Sequence, residues 1–419
     1  MSFSRRLAAA FDLGTTTIAA SLVDPATGER LAVTGALNPQ REFGADVLAR
    51  LGAAALPEKL AAMQGCLAQE MERMAEELLS KAGAAPAELA GIAVAGNPAM
   101  EHIALGLPVA SLAYPPFRPL FTEGKNVTTL HLGWRRELPA YLLPLPGGFV
   151  GGDLLAFLFG LKGSPRPATL YLDLGTNAEI ALFDGERFLA TSAAAGPAFE
   201  GGNLRCGMSA LPGAISGVTI EGDRLMFDTI AGAPARGLCG SGVLEAVAAL
   251  LGCGVIEPSG RLRPAGEIAS NLANRVQQVN GIPAFLLHRD ASGLVYLDQE
   301  DIRALQLAKG ALRGGMEMLL SRAGLSFAAL SQVVLTGSFG AVLSPAVLKN
   351  VGIFNDNMVK ITGFVREGAL AGVERLLVES DGQVRLESLA QKVQVIPLSG
   401  TPLFEKLFMA NIDFPRERA

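Results

Sequence analysis

Cysteine is scarce in this sequence, and the few cysteines stand far apart. They are Cys66, Cys206, Cys239 and Cys253, and no two of them form a C-x-x-C pair. Zinc sites and iron–sulfur clusters are usually held by closely spaced cysteines, so no iron–sulfur cluster is evident in this chain. We expect buried thiols in a reducing compartment. A cluster shared across a dimer interface through Cys206 and Cys239 stays open as an alternative.

Long apolar runs and an excess of one charge are also missing. The chain has 35 Lys and Arg residues against 40 Asp and Glu residues, a formal net charge of −5, and no basic run. This balance argues against nucleic acid and anionic membranes as partners. No stretch approaches the roughly 18 uninterrupted apolar residues of a membrane span. We therefore expect a cytoplasmic protein whose ligand is small, or another protein.

What the sequence does contain is a glycine turn between two apolar runs near its start. Asp12 and Gly14 are followed by Thr15 and Thr16, and a second apolar run begins shortly afterwards. Gly14 lets backbone N–H groups approach an anion, threonine hydroxyls add donors, and Asp12 can hold a hydrated magnesium ion. The stretch is typical of a hairpin that binds phosphate, although a plain hairpin turn is the alternative.

The same turn returns roughly 160 residues later, which is the spacing expected of an internal duplication. Asp173 and Gly175 are followed by Thr176 and Asn177, again between apolar runs. The chain has 419 residues, half of them hydrophobic, and can bury two cores. We therefore predict two similar domains, residues 1–165 and 166–419, that face one nucleotide.

An acidic residue at the start of an apolar helix is a further candidate. Asp153 precedes a helix predicted over residues 154–161, and its carboxylate could orient a water molecule or a metal-bound water. Capping of the helix is an equally open role. His102 at a strand-to-helix corner is a weaker candidate, because such a histidine is more often structural. Apolar residues at three- and four-residue steps predict a long helix over residues 57–81.

Two later stretches are rich in small residues. Gly196 and Glu200 lie in a run that predicts a pocket wall lined by backbone, with Glu200 as a possible contact to metal or water. Gly240 and Ser241 open a predicted helix whose N-terminus could receive a phosphate or contact a nucleoside. Packing of that helix through its glycines is the alternative.

A buried strand over residues 333–336 ends in a glycine bend. The bend consists of Gly337, Ser338, Phe339 and Gly340. An adenine and a ribose need close backbone approach, which glycines allow. Two phosphate turns and this bend together account for a whole nucleotide.

In this order the segments resemble the phosphate-1, phosphate-2 and adenosine motifs of the actin-like ATPase superfamily, which includes acetate and sugar kinases, heat-shock chaperones and actin (ASKHA). The resemblance implies an α/β fold of two duplicated actin-like, ribonuclease H-like domains with Mg-ATP in a cleft between them. It implies that Asp12, Asp153 and Asp173 are catalytic. Asp12 and Asp173 would hold magnesium through water, and Asp153 would position the attacking water.

Further segments resemble the ATPase domain of the reductive activators of corrinoid enzymes. They are residues 38–47, 96–100, 148–153, 195–201, 205–208, 398–404 and 413–415. The resemblance implies that ATP binding and hydrolysis drive reduction of a Co(II) corrinoid to Co(I), and that the chain forms a homodimer. The partner would be a corrinoid protein or a corrinoid methyltransferase subunit.

Such activators usually carry a ferredoxin-like iron–sulfur domain, which this sequence does not show. We therefore expect a separate ferredoxin-like protein to donate the electron. Two other functions stay open. One is a small-molecule kinase with Asp153 as the base, and the other is a nucleotide-gated scaffold protein with negligible turnover.

Overall fold

The computed structural model describes residues 5–291, 293–337 and 343–416. The chain forms two compact units. The first contains the described residues up to 165 together with 183–191 and 367–397, and the second contains 166–182, 192–366 and the described residues from 398 onward. Both units combine sheets with helices, which confirms the α/β prediction. The predicted domain boundary after residue 165 stays a prediction.

Strands and helices alternate through much of the chain. The strands are β1 (Leu7–Leu13), β2 (Thr17–Asp24), β3 (Glu29–Leu37), β4 (Leu89–Gly96), β5 (Lys125–Thr128), β6 (Pro139–Leu142), β7 (Thr169–Leu174), β8 (Ala178–Phe183), β9 (Phe188–Ala193), β10 (Ala214–Glu221), β11 (Arg224–Thr229), β12 (Gly237–Leu238), β13 (Val276–Val279), β14 (Ile282–Asp290), β15 (Gly293–Asp298), β16 (Gln332–Thr336), β17 (Thr362–Phe364) and β18 (Val393–Val395). The helices are α1 (Val47–Ala54), α2 (Pro57–Lys81), α3 (Pro98–Ala104), α4 (Ala110–Ala113), α5 (Gly152–Gly160), α6 (Gly240–Gly252), α7 (Gln299–Ala323), α8 (Pro345–Asn350), α9 (Asp356–Ile361), α10 (Gly368–Val378), α11 (Gly382–Ala390) and α12 (Pro402–Ala410).

The sheet of the first unit has the strand order β3-β2-β1-β4-β6-β5. The central strand β1 pairs antiparallel with β2 and parallel with β4. Its side chains alternate between two faces. Phe11 and Leu13 belong to the core that includes residues of α2, whereas Ala10 belongs to the core that includes residues of α5 and α10. By the same alternation, Asp12 lies on the α5 face.

Helices α5 and α10 pack closely on this second face. An ideal Cβ on Gly372 of α10 would lie 1.7 Å from the carbonyl oxygen of Ala156 in α5, so a side chain at that position is excluded. Ser21 of β2 donates a hydrogen bond to Glu374 of α10. This packing places α5, whose first turn carries Asp153, over the same face of the sheet as Asp12.

The second unit repeats the arrangement. Its strands run in the order β17-β16-β7-β8, which matches β6-β4-β1-β2 in the first unit. Strand β16 pairs in parallel with both β7 and β17. The matching order confirms the duplicated fold that the two turns predicted, because β7 takes the place of β1 and β16 takes the place of β4.

Smaller sheets and long helices complete the second unit. Strands β11-β10-β12 and β13-β14-β15 form two three-stranded sheets. Helix α7 begins after Asp298, whose side chain accepts a hydrogen bond from the backbone N–H of Asp301, and it ends at Gly324 in the left-handed conformation. Among the helices in the described ranges, none is both long enough and apolar enough to span a membrane.

Candidate functional site

The first turn joins β1 to β2 and is held by side-chain amides. An ideal Cβ on Gly14 would lie 2.5 Å from the carbonyl oxygen of Thr17, so glycine is required there. The Asn38 side chain donates to the Gly14 carbonyl oxygen at 2.9 Å, and its backbone N–H donates to the Thr16 carbonyl oxygen at 2.9 Å. Asn38 thus holds two carbonyl groups of the turn, one through its side chain and one through its backbone.

The end of β4 supports the same turn. Asn97 follows β4 directly, and its side-chain amide donates to the Thr15 hydroxyl at 3.1 Å. Its side-chain oxygen accepts from the backbone N–H of Met100 at 3.1 Å and so caps α3. Thr15 is only 8% exposed. One asparagine therefore ties the turn, the strand and the next helix together.

Asp153 lies in the first turn of α5 and remains partly exposed. Its Oδ1 accepts a hydrogen bond from the backbone N–H of Leu154, the next residue in that turn, at 2.8 Å. Burial raises the pKa of Asp153 to about 6. The N-cap residue of α5 is Gly151, which makes no side-chain capping bond, and the predicted role of Asp153 in orienting water stays a prediction.

A second carboxyl group, Glu101 of α3, lies behind Asp153 and escaped the sequence interpretation. Glu101 is 0% exposed. Its Oε1 accepts from the backbone N–H of Gly96 at 3.1 Å, and its Oε2 is buried without a hydrogen-bond partner in the described part of the chain. Burial, and then the charge of Asp153, raise the pKa of Glu101 well above its usual range. The available signal was a lone acid in an otherwise apolar helical stretch.

His102 has a structural role. Its Nδ1 donates to the Pro98 carbonyl oxygen at 2.7 Å, and its Nε2 accepts from the backbone N–H of Leu120 at 2.9 Å. The ring stacks on Phe121 with centroids 5.3 Å apart, and burial lowers the pKa of the imidazole. Both ring nitrogens are engaged, so the contacts support the structural alternative.

The second turn, between β7 and β8, is supported by a glycine and a carboxylate. Asp173 pairs with Thr336 of β16. Gly337 follows with φ of +95°, and an ideal Cβ on it would lie 2.7 Å from Asp173 Oδ1. The Thr176 hydroxyl donates to Glu200 Oε2. Asp173, Thr176, Glu200 and Gly337 are thus brought together around this turn.

The loop that carries Glu200 also reaches the start of α6. Gly196, with φ of +72°, precedes the short helical turn Pro197–Glu200. An ideal Cβ on Gly201 would lie 3.4 Å from Cys239 Cα, directly before Gly240 and Ser241. Gly242 of α6 packs on β10, since an ideal Cβ on it would lie 2.0 Å from the carbonyl oxygen of Ile215. Gly240 and Ser241 therefore lie beside the Glu200 loop.

Several predicted residues need separate mention. Gly175 and Asn177 form the second turn, where an ideal Cβ on Gly175 would lie 3.3 Å from the Asn177 carbonyl oxygen and 3.9 Å from Glu200 Oε1. Ser338, Phe339 and Gly340 lie outside the described residues. Their predicted contact with a nucleoside stays a prediction.

Of the four cysteines, Cys239 is buried, Cys66 and Cys206 are partly exposed and Cys253 is exposed, so the expectation of buried thiols holds for Cys239 alone. The Cys206 thiol donates to the Leu294 carbonyl oxygen at 3.6 Å, and the Cys239 thiol donates to that of Ile215 at 3.3 Å. Cys239 is only 4% exposed. Within the described ranges, no group of three or more His, Cys, Asp or Glu side chains is arranged to hold a metal ion. The residues that could hold a cation through water are the carboxylates of the two turns.

Two family models and two curated proteins match this chain. The family model described as the C-terminal domain of RACo, the ASKHA domain, matches residues 167–419, and the model described as the RACo middle region matches residues 7–162. The corrinoid activation enzyme RamQ of Eubacterium limosum is 29% identical over 423 residues, which cover 97% of this chain and 70% of RamQ. A [Co(II) methylated amine-specific corrinoid protein] reductase of Methanosarcina barkeri is 26% identical over 290 residues, or 63% of this chain and 49% of the reductase.

A solved structure is similar over almost the full length. It is a reductive activator for a corrinoid, iron–sulfur protein, with a TM-score of 0.88 and 26% sequence identity. The similarity covers 99% of this chain and 67% of the solved chain. The two family models together account for nearly all of the sequence. The chain therefore belongs to the RACo family, with the middle region at residues 7–162 and the ASKHA domain at residues 167–419.

Proposed function

We propose that this protein is an ATP-dependent activator that restores a corrinoid protein to its reduced, Co(I) state. The names of the two curated relatives and of the solved structure support this assignment, because all three refer to activation or reduction of corrinoid proteins. One electron converts Co(II) to Co(I), and a separate ferredoxin-like protein would supply it. ATP can promote the reaction only through different affinities for two conformations of the activator.

The observation that carries the nucleotide part is the duplicated strand order with an Asp-x-Gly turn at the end of each central strand. The residues present fit a bound Mg-ATP. Gly14 and Gly175 give turns without side chains, and the backbone at Gly337 lies against the Asp173 carboxylate. Magnesium, when bound, neutralises phosphate charge. Asp12 and Asp173 would hold it through water.

The other predicted residues take supporting roles in this proposal. Backbone groups at Thr15, Thr16, Thr176 and Asn177 would bind phosphates. The Glu200 loop with Gly196, and the start of α6 with Gly240 and Ser241, would approach the nucleotide. Ser338, Phe339 and Gly340 would line the adenosine. Each assignment rests on residue chemistry and position in the turns.

Asp153 would orient the water that attacks the terminal phosphate. The residue is partly exposed, and it lies on a helix that packs on the Asp12 face of the sheet. Because its pKa is raised to about 6, the carboxylate is ionised near neutral pH and can accept a hydrogen bond from water. We also infer a homodimer in the cytoplasm.

The test combines purified protein, Mg-ATP, a reduced ferredoxin and a methylated amine-specific corrinoid protein of the kind named for the Methanosarcina relative. Visible spectra under anaerobic conditions report the cobalt state, and phosphate release reports hydrolysis. We expect the Co(I) spectrum only with ATP and ferredoxin together, and faster hydrolysis with the corrinoid protein. Absence of any heat of binding with ATP in calorimetry would overturn the proposal that the protein binds ATP. A hydrolysis rate that does not change when the corrinoid protein is added would overturn the proposal that a corrinoid protein is the partner. A phosphorylated sugar or acid product would instead favour the kinase alternative.

A further inference from the structure

We propose that Glu101 is a positioning residue that keeps a proton on its carboxyl group and donates it in a hydrogen bond to the Asp153 carboxylate. Glu101 would thus hold the Asp153 side chain in one orientation while the exposed side of Asp153 faces its ligand. The inference rests on the proposed function only for what Asp153 does, because the carboxyl pair itself is a property of the fold.

The surroundings of Glu101 require a proton. The side chain is 0% exposed, and Oε1 accepts the Gly96 N–H at 3.1 Å. Oε2 is buried and has no hydrogen-bond partner in the described part of the chain. An ionised carboxylate in this position would lose its hydration and gain one hydrogen bond, which is strongly unfavourable. A neutral carboxyl group instead has an O–H that needs an acceptor.

Two glycines at the start of α5 lie against the two carboxyl groups. An ideal Cβ on Gly152 would lie 2.6 Å from Glu101 Oε1, and one on Gly151 would lie 2.9 Å from Asp153 Oδ1. Both carboxyl groups therefore approach the same short stretch of backbone, and the charge of Asp153 acts on Glu101. The backbone N–H of Leu154 fixes Asp153 Oδ1 from the other side.

The other titratable groups near Glu101 form hydrogen bonds with partners of their own. Tyr141 of β6 interacts with Glu101, but its hydroxyl donates to Glu387 of α11 at 3.2 Å, and burial raises the pKa of this phenol. His102 of α3 is neutral, with both nitrogens engaged. Asp153 is the acceptor these contacts leave for the Glu101 proton.

Charged groups on the neighbouring helices are directed elsewhere. Arg50 of α1 reaches α3 at Met100, where Nη1 lies 3.5 Å from the sulfur, and its electrostatic partners are Asp46 and Cys66. Arg375 of α10 donates to carbonyl groups at the far end of α5. No contact in the described part of the chain joins either guanidinium to the carboxyl pair.

A measurement without nucleotide tests the pair directly. In protein labelled with ¹³C at the side-chain carboxyl groups, the Glu101 signal is assigned by its loss in Glu101→Gln. We expect that signal to keep the chemical shift of a protonated acid at neutral pH. A Glu76→Gln variant, at an exposed position of α2, is the control for loss of a surface carboxylate signal. The Asp153 signal should titrate at nearly the same pH in Glu101→Gln, whose amide also donates, and at higher pH in Glu101→Met, which has no donor. A Glu101 signal that titrates with the surface glutamates would overturn the proposal.

The pH profile of ATP hydrolysis gives the second readout. Glu101→Gln keeps a donor for Asp153 and should retain kcat within about 3-fold, with the acid limb nearly unchanged. Glu101→Met removes the donor, so kcat should fall about 10-fold with little change in KM, and the acid limb should move to higher pH. Equal pH profiles of ATP hydrolysis for the two variants would mean that Glu101 contributes only packing.

The two failures are separable. If the ¹³C signals show the shared proton but Asp153→Asn hydrolyses ATP normally, the carboxyl pair stands and the proposed role of Asp153 fails. If Asp153→Asn is inactive but Glu101 titrates as an exposed acid, the proposed function stands and the pairing fails.

Discussion

The two turns have the same backbone setting but different supports. In the first unit Asp12 pairs with Ala95 next to Gly96, and in the second unit Asp173 pairs with Thr336 next to Gly337. The first turn is held by neutral amides, since Thr15 accepts a hydrogen bond from Asn97. The second turn is held by an acid, because its threonine donates to a carboxylate.

This difference suggests a division of labour within the duplication. With the pairing proposed above, the first unit places Glu101 and Asp153 near a turn whose threonine is held by an amide, which suits a group that must handle a proton. The second unit gathers Asp173 and Glu200 at one turn, which suits a hydrated cation. The strand order was retained while the side chains that support each turn diverged, so the two turns should respond differently to equivalent substitutions.

The largest effect is expected in the first unit. Asp153→Asn removes the carboxylate that would orient water but keeps an oxygen that can accept from Leu154 N–H. We expect kcat for ATP hydrolysis to fall about 10²- to 10³-fold, as for loss of a general base. ATP affinity, measured by calorimetry, should change little. A variant with normal kcat would remove the proposed chemistry from the first unit.

Substitution of the two equivalent glycines sharpens the comparison. Gly337→Ala places a methyl group 2.7 Å from the Asp173 carboxylate at a φ of +95°, so we expect Mg-ATP affinity to fall about 10-fold or more. Gly96 has its nearest contacts at 3.2 Å and no positive φ, so Gly96→Ala should weaken binding less.

A matched control separates backbone strain from the clash. Gly324→Ala has a φ of +64° with nothing within 4 Å of the added methyl group. It should cost roughly 1 kcal/mol of stability and leave Mg-ATP affinity unchanged. If Gly324→Ala weakened ATP binding as much as Gly337→Ala, the closeness of residue 337 to Asp173 would not explain the loss.

Removal of the second-unit acid should have a moderate effect. Glu200→Gln keeps the shape of the side chain and can still accept a hydrogen bond from Thr176. It removes one negative charge, so we expect the magnesium concentration for half-maximal hydrolysis to rise several-fold. The same titration on Glu101→Gln, in the first unit, should show no such rise. Equal magnesium dependence in both variants would argue against the division of labour.

The sequence allowed prediction of features that depend on local chemistry. Both turns, the helix over residues 57–81 and the strand before Gly337 occur where they were predicted, because turn residues and apolar periodicity act over short distances. Helix α5 begins slightly earlier than predicted, at Gly152. The order of the two turns also led correctly to a duplicated fold.

What could not be predicted depends on contacts between distant residues. Asn97 and Thr15 are 82 residues apart in the chain, and Asn38 and Gly14 are 24 apart, so their hydrogen bonds have no local signal. The role of Glu101 could not be predicted because it depends on Asp153, which lies on another helix. The return of residues 367–397 to the first unit depends on the fit of α10 against α5.

The smallest expected effect concerns stability and tests the first unit alone. Glu101 and Asp153 both have raised pKa values in the folded protein, so their favourable contribution is complete below the pKa values of the unfolded chain, near 4, and is lost as pH rises. The amide in Glu101→Gln cannot ionise, so this variant does not lose that stability as pH rises. We therefore expect its thermal midpoint to exceed that of the parent by a few degrees at pH 8 and to match it near pH 4. The exposed control Glu76→Gln should follow the parent at both pH values. A thermal midpoint of Glu101→Gln below that of the parent at pH 8 would mean that the buried carboxyl group is ionised and paired. The proposed contrast between a first unit that handles a proton and a second unit that holds a cation would then be wrong.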